Sequence, residues 1–170
     1  MGECKFIAEV KTANVGGAGT DDDVHLSLIK RVKVVNNGKE EWKDEIRLAD
    51  WNLDTDHDDF ETGALNKFYA EGDYIGEIDR IRLEIVPNGN QVVHASAWKV
   101  EYVKVIQTYA GESRSFIFPI NTWMGIQGRD PSQGDLKTIV FADKDGVVCY
   151  RKKVLTDDLN LIDGESNCGN

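Results

Sequence analysis

The densest group of potential metal ligands in the sequence is an acidic segment over residues 50–61, DWNLDTDHDDFE, with six carboxylates and no Lys or Arg. Crowded like charges are destabilising unless water solvates them or a cation is shared between them. Calcium takes about six to eight oxygen ligands at irregular loop spacings. The residues alone leave two interpretations open. One is a solvated acidic loop, and the other is a Ca²⁺ site supplied by Asp54, Asp56, Asp58, Asp59 and Glu61.

A glycine-rich segment over residues 14–23, NVGGAGTDDD, precedes the acidic one. Phosphate-binding glycine loops open a helix and carry a Lys-Ser/Thr pair, whereas this segment continues into three aspartates that would repel a phosphate. It is either a tight connection whose glycines adopt positive φ, or a source of backbone carbonyls that complete a cation site together with Asp21.

The composition argues against several classes of function. Thirty acidic residues against twenty basic ones give a net charge of −10, so the chain lacks the basic surplus of a nucleic-acid-binding protein. No apolar run approaches the roughly 18 residues of a membrane span. The three histidines, His25, His57 and His94, belong to no nucleophile or metalloprotease motif. We therefore expect a non-catalytic protein.

The cysteines leave the cellular compartment open. Cys4, Cys149 and Cys168 are an odd number without a C-x-x-C pair, which argues against a Cys-based zinc site and a dense disulfide framework. We expect Cys4 and Cys149 to be buried thiols within apolar strands, although one disulfide remains an alternative. The first residues, MGECKFIAEVK, do not form a signal peptide, so a cytoplasmic or peripheral membrane location is favoured over secretion.

Apolar and charged residues alternate with a period of two through most of the chain, as in half-buried strands. Clusters of Gly, Asn and Asp separate these stretches, and no amphipathic helix is evident. We therefore predict an all-β protein, an antiparallel β-sandwich of about eight strands. The predicted strands are Lys5–Lys11, Val24–Val35, Lys43–Leu48, Arg80–Ile85, Trp98–Ile106, Arg114–Phe118, Lys137–Ala142 and Val147–Val154.

Five motifs, in order along the chain, resemble those of the PLAT (LH2) domain, the β-sandwich found in polycystins, lipoxygenases and clostridial alpha-toxin. The first is the strand Phe6–Lys11 with its glycine loop and the strand from Val24. The others are the segment Asp59–Gly63 with Phe68, the stretch Ile75–Leu83, Trp98 with Val103 and Val105, and the closing segment Phe118–Trp123.

The resemblance covers residues 5–142, and residues 143–170 are expected to form a C-terminal extension with a β-hairpin turning at Asp145-Gly146 and a flexible tail. Three positions depart from the family pattern. Val86-Pro87-Asn88 replaces a His-Asp pair, Asn66 stands where Asp is common, and Ile120 replaces a Cys.

The resemblance implies a non-catalytic module that docks its host onto a membrane surface or a protein partner, often with Ca²⁺. The first cation site would combine backbone oxygens near Gly17 and Gly19 with the carboxylates of Asp21, Asp58, Asp59 and Glu61, and Asp54 or Asp56 would serve a neighbouring site. Apolar loop residues of such a module insert into the interface. Trp51, Leu53 and Trp42 are the candidates for membrane contact.

Two other classes of binding protein remain as alternatives. One is a lectin-like or toxin-like β-sandwich that holds a glycan or a cell-surface receptor with the acidic segment and Trp51. The other is a calcium-independent scaffold for a protein partner.

Overall fold

The computed structural model describes residues 3–16, 19–20, 23–54, 59–86, 97–128, 134–158 and 160–169. These residues form strands and turns, and none of their segments is a helix that could span a membrane. The ten strands are β1 (Cys4–Thr12), β2 (Asp23–Asn36), β3 (Lys39–Asn52), β4 (Leu65–Gly72), β5 (Arg80–Val86), β6 (Trp98–Tyr109), β7 (Glu112–Met124), β8 (Ile139–Asp143), β9 (Gly146–Leu155) and β10 (Leu161–Ser166).

The strands form two sheets that enclose one core. The four-stranded sheet has the order β4-β1-β6-β7, the six-stranded sheet has the order β10-β9-β8-β5-β2-β3, and neighbouring strands are antiparallel. Alternate residues of β1 and β5 point into the core, among them Phe6, Val10 and Leu83. The predicted antiparallel β-sandwich is confirmed.

Two strands lie outside the predicted set. β4 is an edge strand in which Phe68 is the one fully buried residue, so its apolar alternation is weak. β10 is exposed along its whole length and has no alternation at all, because it pairs with β9 at the edge of the larger sheet. The segment that we expected to be a flexible tail therefore contains a strand, while the hairpin between β8 and β9 turns at Lys144-Asp145, close to the predicted position.

Cys149 is disulfide-bonded to Cys168, with a Cα–Cα distance of 5.0 Å. The prediction of a buried thiol at Cys149 is therefore wrong, because β10 runs antiparallel along β9 and the residues after it continue beside β9, which brings Cys168 next to Cys149. Asn167 fixes this return: its backbone N–H donates to Tyr150 O (3.1 Å), and its side-chain Oδ1 accepts from Tyr150 N (2.6 Å). Cys4 is a free, fully buried thiol, and burial raises its pKa.

The connections β1–β2 and β3–β4 lie at the same end of the sandwich. β1 runs towards this end and β4 leaves it, with Lys11 opposite Leu65. β2 leaves it and β3 returns to it, with His25 opposite Asn52. We call this region the loop end; its described residues are 13–16, 19–20, 53–54 and 59–64.

A buried amide fixes the connection between β4 and β5 at the opposite end. Gln107, which is 2% exposed, accepts hydrogen bonds from Ile75 N (2.8 Å) and Gly76 N (3.2 Å) through Oε1. Its Nε2 donates to Gly76 O (2.7 Å). One side chain thus satisfies three backbone groups that water does not reach.

Replacing Gln107 with Met should lower the free energy of unfolding by about 2–4 kcal/mol, because it leaves buried backbone donors and an acceptor unpaired. Denaturant titration measures the loss. Gln127→Met is the matched control, since Gln127 makes similar bonds to Gly134 O and Leu136 N nearer the surface, where water can replace them. Equal losses for the two variants would contradict this account.

Candidate functional site

The glycine-rich and acidic segments meet at the loop end. Thr20 N donates a hydrogen bond to Phe60 O (3.2 Å), and Gly63 N donates to Ala13 O (3.2 Å). Gly19 lies so close to the acidic segment that a Cβ atom there would be 2.9 Å from Phe60 O. A side chain at this position would therefore force the two loops apart. The contact between the segments depends on glycine.

The acidic segment is anchored to the core by Phe60. This residue has a φ of 63°, a conformation that costs energy for a non-glycine residue. Its ring is 2% exposed and packs on Phe68 (centroids 5.5 Å apart) and Trp98 (4.9 Å). Trp98 is in turn fixed by a hydrogen bond from Nε1 to Thr12 Oγ1 (2.9 Å). Burial of the aromatic ring compensates for the backbone conformation.

Asn66 connects β4 to the same segment. Its Oδ1 accepts a hydrogen bond from Phe60 N (2.9 Å), and its Nδ2 lies 3.5 Å from Asp59 Oδ1. An aspartate here would keep the acceptor but would set a second carboxylate against Asp59. Asn66, where the family pattern has Asp, thus places an amide donor beside Asp59 instead of a second negative charge.

The described ligand candidates offer oxygen atoms that suit a hard cation. Asp54 and Glu61 are exposed and Asp59 is half-buried. Within the described ranges, no three His, Cys, Asp or Glu residues lie close enough to hold a metal ion. Four of the predicted ligands, Gly17, Asp21, Asp56 and Asp58, fall outside these ranges.

Leu53 does not have the predicted role in membrane contact. It is 2% exposed, belongs to the hydrophobic core, and its backbone N–H donates to Val24 O (2.9 Å). The expectation is therefore wrong, because the position pairs with the start of strand β2 rather than standing on a loop tip. Trp51 is half-buried and packs against the core, so only part of its ring faces solvent.

Trp42 is 58% exposed, but it lies away from the loop end. It is nine residues before Trp51 on β3, which corresponds to roughly 30 Å of strand. Its ring contacts the guanidinium of Arg31 (6.0 Å) and the ammonium of Lys33 (5.9 Å). Trp42 therefore lies on a different part of the sandwich from the acidic segment, and its contact with a membrane stays a prediction.

Two features of the loop end were missed from the sequence. Val15 is 42% exposed on the glycine-rich loop, where it is an apolar residue beside the candidate ligands. Lys11 Nζ donates to Gly63 O (2.6 Å) and brings a positive charge to the base of the acidic segment. The sequence signal for Lys11 was a basic residue at the end of a predicted strand, just before a glycine-rich segment that ends in three aspartates.

The two antiparallel sheets, with two joined loops at one end, define a β-sandwich domain. The PLAT/LH2 domain family model matches residues 6–139, and the chain belongs to this family, as the motifs predicted. Domains of this family mediate interactions with lipids or proteins.

The two relatives with similar sequences are much longer than this chain. It is 26% identical over 156 residues to mouse lipoxygenase homology domain-containing protein 1 and 31% identical over 131 residues to the human protein. These matches cover 91% and 77% of this chain, which spans 6% and 5% of the respective relatives.

Two solved lipoxygenase structures share the fold. One is the crystal structure of a lipoxygenase with the Delta413-417:GS change. The match covers 84% of this chain and 16% of the lipoxygenase chain, with a TM-score of 0.54 at 18% identity. The other is coral 8R-lipoxygenase, described as activated by calcium via a C2-like domain. This match covers 82% of this chain and 16% of the lipoxygenase chain, with a TM-score of 0.50 at 20% identity.

Replacing Asn66 with Asp should destabilise the loop end at neutral pH by about 1–2 kcal/mol, because the new carboxylate faces that of Asp59. Repulsion raises the pKa of this pair in the folded state above the unfolded value near 4. The penalty is thus complete above the raised pKa and disappears as the pH falls below about 4. Thermal unfolding from pH 3 to pH 8, relative to the unchanged protein, measures it.

Asn160→Asp, at an exposed position outside the loop end, is the control and should have little effect at any pH. A loss in Asn66→Asp that persists unchanged at low pH would mean that geometry, and not charge, sets the preference for asparagine.

Proposed function

We propose that this PLAT domain docks on anionic membrane surfaces when Ca²⁺ binds at its loop end. The observation that supports this proposal is the close contact between the two loops. Gly19 has no room for a side chain against Phe60 O, and Thr20 N is hydrogen-bonded to the same oxygen. The backbone of the glycine-rich segment therefore adjoins the segment that carries the carboxylates of Asp59 and Glu61.

The ligand set proposed for the ion is made of oxygen atoms only. Gly19 would supply a backbone carbonyl, and Asp59, Glu61 and Asp54 would supply carboxylates. The sequence adds further oxygen donors in the same two segments, at Gly17, Asp21, Asp56 and Asp58. Calcium accepts such an irregular set, whereas Mg²⁺ requires near-octahedral geometry and keeps its water molecules.

The electrostatics explain why an ion would be required. A chain with a net charge of −10 is repelled by anionic lipids. Bound Ca²⁺ neutralises the carboxylates of the loop end and can share its remaining coordination positions with lipid phosphates. Val15, exposed on the adjacent loop, would add an apolar contact, while Leu53 stays in the core. Calcium activation via a C2-like domain in coral 8R-lipoxygenase, a protein with a similar fold, supports the proposal.

Millimolar CaCl₂ should raise the melting temperature relative to EDTA, because the ion binds only the folded state. At a concentration 100 times Kd the gain is about 2.7 kcal/mol. For a domain of this size that corresponds to roughly 5–10 °C. MgCl₂ at the same concentration should give a much smaller shift. Calorimetry with the three buffers makes the comparison.

The double variant Asp59→Asn with Glu61→Gln should lose most of the calcium shift and keep the fold. The matched control is Glu71→Gln with Asp73→Asn, which removes the same charge from exposed positions at the opposite end of β4. If the control variant loses the shift equally, or the site variant keeps it, the ion is held elsewhere.

Sedimentation with phosphatidylcholine vesicles containing phosphatidylserine tests the membrane target separately. The protein should pellet with these vesicles in CaCl₂ and remain in the supernatant in EDTA, and Val15→Asp should weaken the association. Stabilisation by calcium without vesicle binding would contradict the membrane target and leave a protein surface as the partner.

A further inference from the structure

The outer face of the six-stranded sheet carries two adjoining cavities of about 460 and 630 Å³. They share Arg151, Cys168 and Gly169 in their walls. Together they form what we call the basic groove. The basic residues that line it are Arg31, Lys43, Arg80, Arg82, Arg151, Lys152 and Lys153.

The sheet register explains how residues that are far apart in sequence share this groove. Phe141 of β8 is paired with Arg82 of β5 on one side and with Cys149 of β9 on the other. Paired residues project from the same face of a sheet, and this face is opposite to the buried Leu83 and Val140. From β9 across β8, β5 and β2 to β3 there are four interstrand spacings, or roughly 19 Å.

The basic charge of the groove exceeds the acidic charge that contacts it. Asp44 is shared by Arg31 (3.1 Å) and Arg80 (3.3 Å). Glu84 is likewise shared by Arg82 (2.8 Å) and Lys153 (4.0 Å). Arg82 also lies 3.7 Å from Asp50, and Lys152 pairs with Asp135 and Glu165.

Arg151 forms no ion pair with any described residue, and Asp163 is a further acid in the groove wall. In a chain with ten more acids than bases, this concentration of cations on one face leaves positive charge for an external anion. Guanidinium groups bind oxyanions, planar carboxylates and tetrahedral phosphates alike, through paired hydrogen bonds.

Two aromatic rings lie among these cations. Trp42, 58% exposed, and Phe141 both line the groove. The guanidinium of Arg31 is 6.0 Å from the Trp42 ring, and that of Arg151 is 5.7 Å from the Phe141 ring. A ligand that suits this surface carries several anionic groups on a frame with apolar faces. A chain of sulfated sugar rings has this chemistry, with sulfates for the cations and C–H faces for the rings.

The disulfide favours the same class of ligand. Cys149 and Cys168 stand in the wall of the groove, and their bond holds residues 168–169 against it. Disulfides persist in oxidising compartments, in secreted proteins and on cell surfaces. The polyanions of that environment are sulfated glycans, whereas phosphoinositides and RNA face the reducing cytosol.

We propose that the basic groove binds a sulfated glycosaminoglycan chain. The groove and the loop end are different surfaces, so this binding does not require Ca²⁺. The two proposals can thus fail independently.

A heparin octasaccharide is the probe, titrated calorimetrically into the full chain with its disulfide intact, in EDTA. Binding should weaken steeply as the salt concentration rises, because counterions are displaced from the glycan. The double variant Arg151→Gln with Lys153→Gln should bind at least about tenfold more weakly, since charge-assisted hydrogen bonds are lost.

The matched control is Lys5→Gln with Lys67→Gln, which removes the same charge from exposed positions on the four-stranded sheet. It should bind the octasaccharide within about twofold of the unchanged protein. Melting temperatures of both variants establish that they fold.

Three results would overturn the proposal. The first is no binding of the octasaccharide at 100 mM salt, a concentration of about physiological strength. The second is an equal loss of affinity in the control variant, which would indicate a diffuse charge effect. The third is tighter binding of phosphoinositide vesicles or RNA than of the octasaccharide through the same two residues.

Discussion

Burial of the Phe60 ring between Phe68 and Trp98 is the interaction on which the loop end depends. The acidic segment around it carries strong like-charge repulsion and would otherwise extend into solvent. Phe60 takes a positive φ to reach the core, and Asn66 satisfies the backbone N–H that this conformation exposes. With the ring fixed, the carbonyl of Phe60 is in position to accept from Thr20 and hold the glycine-rich loop.

The sequence predicted those parts of the fold that bury one face of a strand. Arg80–Ile85 alternates strictly, and the structure has it as β5 with three buried residues that alternate with partly buried charged ones. β10 could not be found in this way, because an edge strand without a buried face leaves no apolar period. The same limit applies to Leu53. A leucine beside an acidic loop has the same local pattern on a loop tip and at the end of a buried strand, and only the register with Val24 distinguishes the two.

Pairings between residues on different strands could not be predicted from the sequence either. The Cys149–Cys168 bond depends on the pairing of β10 with β9. Because β10 is exposed and has no apolar pattern, the sequence gives no sign of this pairing. The basic groove depends on register between β9, β8, β5 and β2, so its arginines are scattered through the sequence among acidic residues. The contact between the glycine and acidic segments was foreseeable because the family motifs brought them together.

The charge of this domain is divided between two surfaces, and the net value of −10 conceals the division. Carboxylates concentrate in loops at one end, where no sheet register constrains their number and solvent or a cation can balance them. Arginines concentrate on a flat sheet face, where Asp44 and Glu84 each bridge two cations and limit their mutual repulsion. Exposed surface charges interact weakly beyond about 8–10 Å in physiological salt. Under the two proposals, the loop end would hold a cation while the basic groove holds a polyanion, which a uniformly acidic surface could not do.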